Sequence, residues 1–237
     1  MLPARFCLHR PSTTAEALAL LAEHGDEATP YAGGTEILVA MKARVVNYRH
    51  VVDLKRVDPL RGVIRRGDGT IVIGSLSTHH ELANDPLIRE FLPAYAEMSE
   101  NIANIRVRVV GTLGGNLCFA EPHADPPTLL CALDASVVLA GISGERIVSM
   151  ADFIQGDFAT ARHDGELLVR VEIPPLESGA RAAYRSFGQL ERPAAGVAAV
   201  HLAGGTWRFW AGALVSKPIM LAETAEEIDQ RAGRIDA

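Results

Sequence analysis

The sequence predicts an α+β chain made of three successive units, and three observations carry that reading. Residues 1–55 alternate a helical repeat with short strand-like runs. Residues 56–175 hold two glycine-turned hairpins separated by helical stretches. After Pro174-Pro175, residues 176–237 carry several strand-like runs and a charged, helix-compatible tail. With 48% apolar and 22% charged residues, the chain can bury a sizeable core.

The elements follow in order. Thr13 is placed to cap a helix with Glu16 three residues on, as in a capping box. Ala17, Leu18, Leu21 and Ala22 then recur at helical spacing and Gly25 ends the element. Thr29-Pro30-Tyr31-Ala32 reads as a short strand, residues 36–42 as a short helix with Ile37, Leu38 and Met41 on one side, and residues 50–54 as a second strand. Gly67-Asp68-Gly69 between two β-rich runs signals a hairpin. Residues 78–82 and 86–103 read as helical. Pro126 and Pro127 fit the first turn of a helix that continues through Leu133. Val137-Val138-Leu139 and Arg146-Ile147-Val148 flank a second hairpin turn, and residues 167–173 form a strand stopped by Pro174-Pro175, the best boundary in the chain. Residues 182–187, 197–202, 207–210 and 213–215 read as strands, and 223–231 as a helix.

Two glycine pairs carry the chemistry: Ala32-Gly33-Gly34-Thr35-Glu36 and Thr112-Leu113-Gly114-Gly115-Asn116. A Gly-Gly step lets the backbone reach positive φ and approach a ligand without a Cβ between them. Successive backbone N–H groups in such turns can form an anion-binding concavity, to which Thr and Asn side chains add donors. Two such segments suggest two walls of one diphosphate site. Neither matches the phosphate loop G-x-x-x-x-G-K-[ST] or the dinucleotide fingerprint G-x-G-x-x-G, which disfavours a kinase or a Rossmann dehydrogenase.

The formal charge is −6 with no long Lys/Arg run, which argues against nucleic acid as partner. The three cysteines, Cys7, Cys118 and Cys131, are far apart and odd in number, so they read as free thiols. No C-x-x-C occurs, adjacent residues such as His79-His80 would on a strand point to opposite faces, and no residue is assigned to a metal. The absence of a basic, then apolar leader and of any run of roughly 18–20 apolar residues gives the expectation of a cytoplasmic protein.

The second pair lies in a longer string, Gly111-Thr112-Leu113-Gly114-Gly115-Asn116-Leu117-Cys118-Phe119-Ala120-Glu121-Pro122-His123-Ala124-Asp125. Here the chain resembles the flavin-binding subunit or domain of the molybdenum hydroxylases, the group of xanthine dehydrogenase and aerobic carbon monoxide dehydrogenase. That family carries A-G-G-T-D-L near its N-terminus, then R-N-x-G-T-x-G-G-N-L, then an Asp downstream. This chain supplies all three in order, with Gly74-Ser75-Leu76-Ser77-Thr78-His79-His80-Glu81-Leu82 between and Asp152-Phe153 and the strand before Pro174 beyond. The resemblance runs over residues 3–220.

It implies a two-part FAD-binding domain of the vanillyl-alcohol oxidase type, residues 1–55 and 56–175, followed by a short, clipped α/β domain, residues 176–237. By resemblance Ala32, Gly33, Gly34, Thr35 and Glu36, with Thr112, Gly114, Gly115 and Asn116, hold the FAD pyrophosphate through backbone N–H donors. Asp125 accepts from sugar-side hydroxyls, Leu168 or its neighbour Leu167 makes an apolar contact near the ring system, and Arg185 stands near the family's lysine. Glu36 replaces the commoner Asp, Val109 follows Arg108 where Asn is usual, and family C-terminal domains run past Lys217-Pro218 for longer than this one. The clipped unit is expected to have little helix over its strands and to gain stability from partners. The implied function is electron transfer: from iron–sulfur clusters on a small 2Fe-2S subunit, reduced by a large molybdopterin subunit, through FAD to an external acceptor. No residue is assigned to catalysis. A stand-alone FAD-dependent oxidase or dehydrogenase and a non-catalytic assembly or regulatory homologue stay open as alternatives.

Overall fold

In the computed structural model, residues 3–188 and 192–235 are described. The chain is α+β, with helices and sheets mixed along its length. Helix Thr14–His24 starts where Thr13 Oγ1 accepts from the Glu16 N–H at 3.1 Å. The Glu16 carboxylate returns not to the cap but one residue earlier, accepting from the Ser12 N–H and hydroxyl at 2.7 and 3.0 Å. Ala17, Leu18 and Leu21 are buried, whereas Ala22, at the edge of the apolar stripe, is exposed. Gly25 closes the helix at φ 51°. Strands Cys7–His9, His50–Asp53 and Ala28–Tyr31 form a parallel sheet with His50–Asp53 in the middle. The first of these strands was not predicted; it is short and its Leu8 faces out.

The central sheet is antiparallel, ordered Val63–Arg65, Ile71–Gly74, Leu167–Ile173, Ser136–Gly141 and Gly144–Ser149. Both predicted hairpins form, one on each side of Leu167–Ile173. The middle strands are apolar at nearly every position because both faces are covered. Alternate residues Val137, Leu139, Val171 and Ile173 point into a core with the helices of the middle unit. Val138, Ala140, Leu167 and Val169 point the other way, against Ala17, Leu18, Leu21, Val52 and Leu54 of the N-terminal unit. One apolar core therefore runs across the chain position at residue 55.

The helix predicted over 86–103 is two helices, Pro86–Phe91 and Pro93–Asn101. Pro93 has no N–H and disfavours helical geometry at Leu92, which takes φ −135° and ψ 54°. Strands Arg181–Phe187, Ala195–His201, Trp207–Gly212 and Ile219–Met220 make a meander. The strand predicted over 213–215 is a bend, because Ala213 is left-handed at φ 63°. The expectation of little helical cover does not hold. Helix Asp125–Ala132 packs on this sheet, and helix Ala222–Ile235 packs against Trp207–Gly212. Tyr184, Ala198, Val200 and Trp210 join the core of the middle unit. Among the described residues, no helix is long and apolar enough to cross a membrane.

Candidate functional site

Strand Ala28–Tyr31 delivers the first glycine pair at its C-terminal end. Gly34 has φ 77°, and a Cβ there would lie 2.5 Å from the Tyr31 ring. A Cβ on Gly33 would run into the carbonyl oxygen of Val110, so the first glycine segment rests directly on the start of the second. The second pair is not an open loop. Thr112 caps helix Leu113–Phe119, accepting from the Gly115 N–H at 3.1 Å, and Gly114 and Gly115 sit in the first turn at ordinary helical φ. A Cβ on Gly114 would lie 2.7 Å from Ser75 Cβ and 2.8 Å from Ser75 O. The glycines are required there by close approach rather than by positive φ.

This geometry changes where the donors are. The N–H groups of Leu113, Gly114, Gly115 and Asn116 go to Ser77 O, Ser75 O, Thr112 Oγ1 and Thr112 O. The expected backbone cradle at the second pair is therefore already satisfied within the chain. The N–H groups of residues 33–36 meet no acceptor among the described residues. Of these backbone donors, the ones left free are those of the first segment, and at the second a side-chain atom, Asn116 Oδ1, is left without a partner.

Both segments wall one cleft of about 620 Å³, within the ~300–1,000 Å³ range of cofactor pockets. Ala32, Gly33, Gly34, Thr35, Glu36, Thr112, Gly114, Gly115, Asn116, Asp125 and Leu168 all line it, with Leu167 beside Leu168. Arg185 does not. It lines a smaller adjoining cavity and is held outward by Glu97 at 3.0 Å and by the Tyr184 carbonyl at 2.7 Å. Three buried polar atoms of cleft residues, Ser75 Oγ, His79 Nδ1 and Asn116 Oδ1, have no hydrogen-bond partner among the described residues. Buried polar atoms are normally satisfied. A ligand rich in both hydroxyls and phosphate oxygens suits free N–H groups, a hydroxyl and an amide oxygen, so the site fits FAD.

Asp125, the first residue of its helix, accepts a 2.7 Å bond from Tyr184 Oη. Burial raises its pKa above the usual carboxylate range, against the opposing pull of that bond. Gly196 makes room for the tyrosine; a Cβ there would strike Tyr184 Oη. Arg192 stands 3.7 Å from Glu36 and 3.2 Å from Glu121, and so joins the first glycine segment to the end of the second. Glu121 also faces His123 Nδ1 at 2.9 Å. Sequence reasoning assigned no role to Ser75, His79 or Arg192. The first two lay in the string between the glycine pairs, and Arg192 has no local signal at all. The adjacent histidines stand on the helix expected there, His79–Asn84, so the strand argument about opposite faces does not apply to them; His79 is buried and His80 exposed.

Two expected results follow from these groups. Asp125→Ala should weaken FAD binding by about 1.5–3 kcal/mol, the range for a hydrogen bond to a charged group, read as a roughly 10- to 150-fold rise in Kd by flavin fluorescence titration. Unchanged affinity would remove Asp125 from the site. His79 is buried beside Arg108, and desolvation first, then that charge, lower its pKa to about 4. Its folded pKa lies below the unfolded value, so the stability it contributes is present above pH ~6.5 and lost as pH falls toward 4. Urea unfolding should show the native chain losing about 2–3 kcal/mol more than His79→Gln between pH 7 and 4.5. Equal losses would mean that His79 is not held neutral.

A family model described as the FAD binding domain in molybdopterin dehydrogenase matches residues 4–176. The carbon monoxide dehydrogenase medium chain of Afipia carboxidovorans is 39% identical over 202 residues, covering 83% of this chain and 69% of that one. The same-named chain of Hydrogenophaga pseudoflava is 36% identical, covering 78% and 64%. The xanthine dehydrogenase FAD-binding subunit of Escherichia coli O157:H7 is 34% identical, covering 70% and 57%. The chain thus spans less than two thirds of the length of the last two. A crystal structure of the Cu,Mo-CO dehydrogenase in its cyanide-inactivated form superposes with a TM-score of 0.90 at 34% identity, covering 95% of this chain and 81% of that one. The arrangement of two abutting glycine segments around one cleft thus coincides with sequence kinship over most of the chain, and the chain belongs to the family of FAD-binding domains of the molybdopterin dehydrogenases.

Proposed function

We propose that this chain is the FAD-binding, electron-transfer component of a molybdenum hydroxylase. The observation that carries the proposal is the one cleft walled by both glycine segments, whose lining includes the unpaired N–H groups of residues 33–36 and three residues with an unpartnered buried polar atom. Bound FAD would supply the electron-accepting and electron-passing chemistry that no side chain here provides. The chain's own residues bind and orient it. The free N–H groups of residues 33–36 and the Ser75 hydroxyl donate to the pyrophosphate region, and Asn116 Oδ1 accepts from a hydroxyl beside it. Asp125, steadied by Tyr184, accepts from sugar-side hydroxyls. Leu167 and Leu168 cover the ring system and exclude water. Arg192 offsets Glu36 and Glu121 at the cleft, which limits repulsion of a diphosphate. We assign Arg185 no contact with FAD.

In this proposal residues 1–55 and 56–175 are the two parts of a vanillyl-alcohol-oxidase-type flavin domain, and residues 176–237 a further α/β unit. The partners are a small 2Fe-2S subunit that delivers electrons and a large molybdopterin subunit that oxidises the substrate. Free cysteines with no disulfide among the described residues support a reducing, cytoplasmic setting. The test is a tagged pull-down read by absorbance and metal analysis. Stoichiometric FAD with iron and molybdenum on co-purifying chains is expected. Flavin without any metal-bearing partner would favour a stand-alone flavoprotein, and a colourless chain that takes up no FAD would overturn the proposal.

A further inference from the structure

Away from the cleft, the unpredicted first strand places a second set of reactive side chains. In Cys7-Leu8-His9 the two outer residues share one face of the strand, because side chains alternate. His50 opens the neighbouring parallel strand in direct register with Cys7. The result is a compact group in which a Cys7 Sγ, a His9 nitrogen and a His50 nitrogen all lie within 4.8 Å of one another. His9 Nε2 and His50 Nδ1 are already 2.9 Å apart. His24, the last residue of helix Thr14–His24, stacks on the His50 ring at 3.6 Å and 14° and braces it from the side. None of these residues lines the flavin cleft.

We propose that Cys7 Sγ, His9 Nε2 and His50 Nδ1 form a three-ligand site for a borderline-soft divalent transition metal of the zinc type, with water in the fourth position. Thiolate and imidazole donors select that class over magnesium or calcium, which prefer oxygen. Metal–nitrogen bonds of about 2.0–2.1 Å at tetrahedral angles put nitrogen ligands ~3.3–3.4 Å apart, so the two imidazoles need only part slightly. The strands that carry Cys7 and His50 are hydrogen-bonded neighbours, so side-chain rotation suffices. Binding displaces one proton, from the Cys7 thiol to solvent. The N–H shared by the two imidazoles moves to the other nitrogen of its own ring. The metal would tie the first strand to the middle strand of the N-terminal sheet and stabilise the folded chain by mass action.

The experiment uses the full chain, with cobalt(II) as the spectroscopic probe and zinc(II) as competitor. One equivalent of cobalt(II) is expected to give a thiolate-to-cobalt charge-transfer band that zinc(II) abolishes. Cys7→Ser should remove the band, and Cys7→Ser and His50→Gln should each weaken binding at least about ten-fold while leaving flavin content unchanged. A chain that binds no cobalt(II), or a band that survives Cys7→Ser, overturns the site. Should either variant misfold, alkylation of native Cys7 decides: protection by zinc(II) supports the site, and an unchanged alkylation rate overturns it.

Discussion

Gly33→Val and Gly114→Val are each expected to leave the chain without flavin and measurably less stable. The atoms in the way are backbone or fixed directly to it: the carbonyl of Val110 for Gly33, and Ser75 O and Cα with the attached Cβ for Gly114. Backbone atoms cannot swing aside as a flexible side chain does. Overpacking of this kind costs about 1–3 kcal/mol and sometimes more. At Gly33 it also drives apart the two glycine segments whose contact shapes the cleft. At Gly114 it disturbs the bond from its N–H to Ser75 O at 2.8 Å and the helix start that presents Asn116. Flavin loss follows from the role of the glycines in the cleft, and the close backbone contacts add the loss of stability. Thermal melting and the flavin-to-protein absorbance ratio measure both. Gly115→Ala separates them, since its Cβ meets only the Thr112 hydroxyl at 2.9 Å. Gly33→Val protein that retains FAD at the native ratio would take the first glycine segment out of the site.

Local signals with a backbone cause were legible in the sequence. The Thr13 cap, the Gly67-Asp68-Gly69 turn, the Pro126-Pro127 helix start and the strand stopped at Pro174 all stand where their residue chemistry puts them. What was not legible depends on distant contacts. The strand Cys7–His9 exists because it pairs with His50–Asp53, not because of its own propensity. Helix Leu113–Phe119 forms over a Gly-Gly step, poor by propensity, because Thr112 caps it and Ser75 and Ser77 receive its first N–H groups. Pro174-Pro175 marks a change of sheet, but the next sheet shares the core before it. In the site, residue identity carried much: eleven expected positions line one cleft. Their roles were less legible, because which N–H is free depends on pairing between segments far apart in sequence. Arg185 illustrates this: Glu97 and the Tyr184 carbonyl hold it away from the cleft, whereas Arg192, between Glu36 and Glu121, lines it.

The isolated chain loaded with FAD is expected to be reduced by dithionite yet to stay oxidised with carbon monoxide, an aldehyde or an N-heterocycle. A substrate-oxidising site needs a base free to take a proton, oriented by a second group, with room for the reacting atom. The acids of the cleft are otherwise engaged. Asp125 accepts from Tyr184, and Glu36 faces Arg192. His79 is buried, with a pKa near 4, on the wall rather than in the opening. The arrangement nearest to a base is His123 against Glu121 at 2.9 Å, an imidazole oriented by a carboxylate. Glu121 is, however, shared with Arg192, which weakens its hold on an imidazolium. Anaerobic mixing monitored at the flavin absorbance maximum gives the measurement: complete bleaching with dithionite, and none above a buffer control with the organic substrates. Rapid bleaching by one of them, lost in His123→Asn, would identify a stand-alone oxidase or dehydrogenase with His123 as its base. An oxidised spectrum in both proteins leaves substrate chemistry with a partner chain, where the flavin cleft serves as an electron relay.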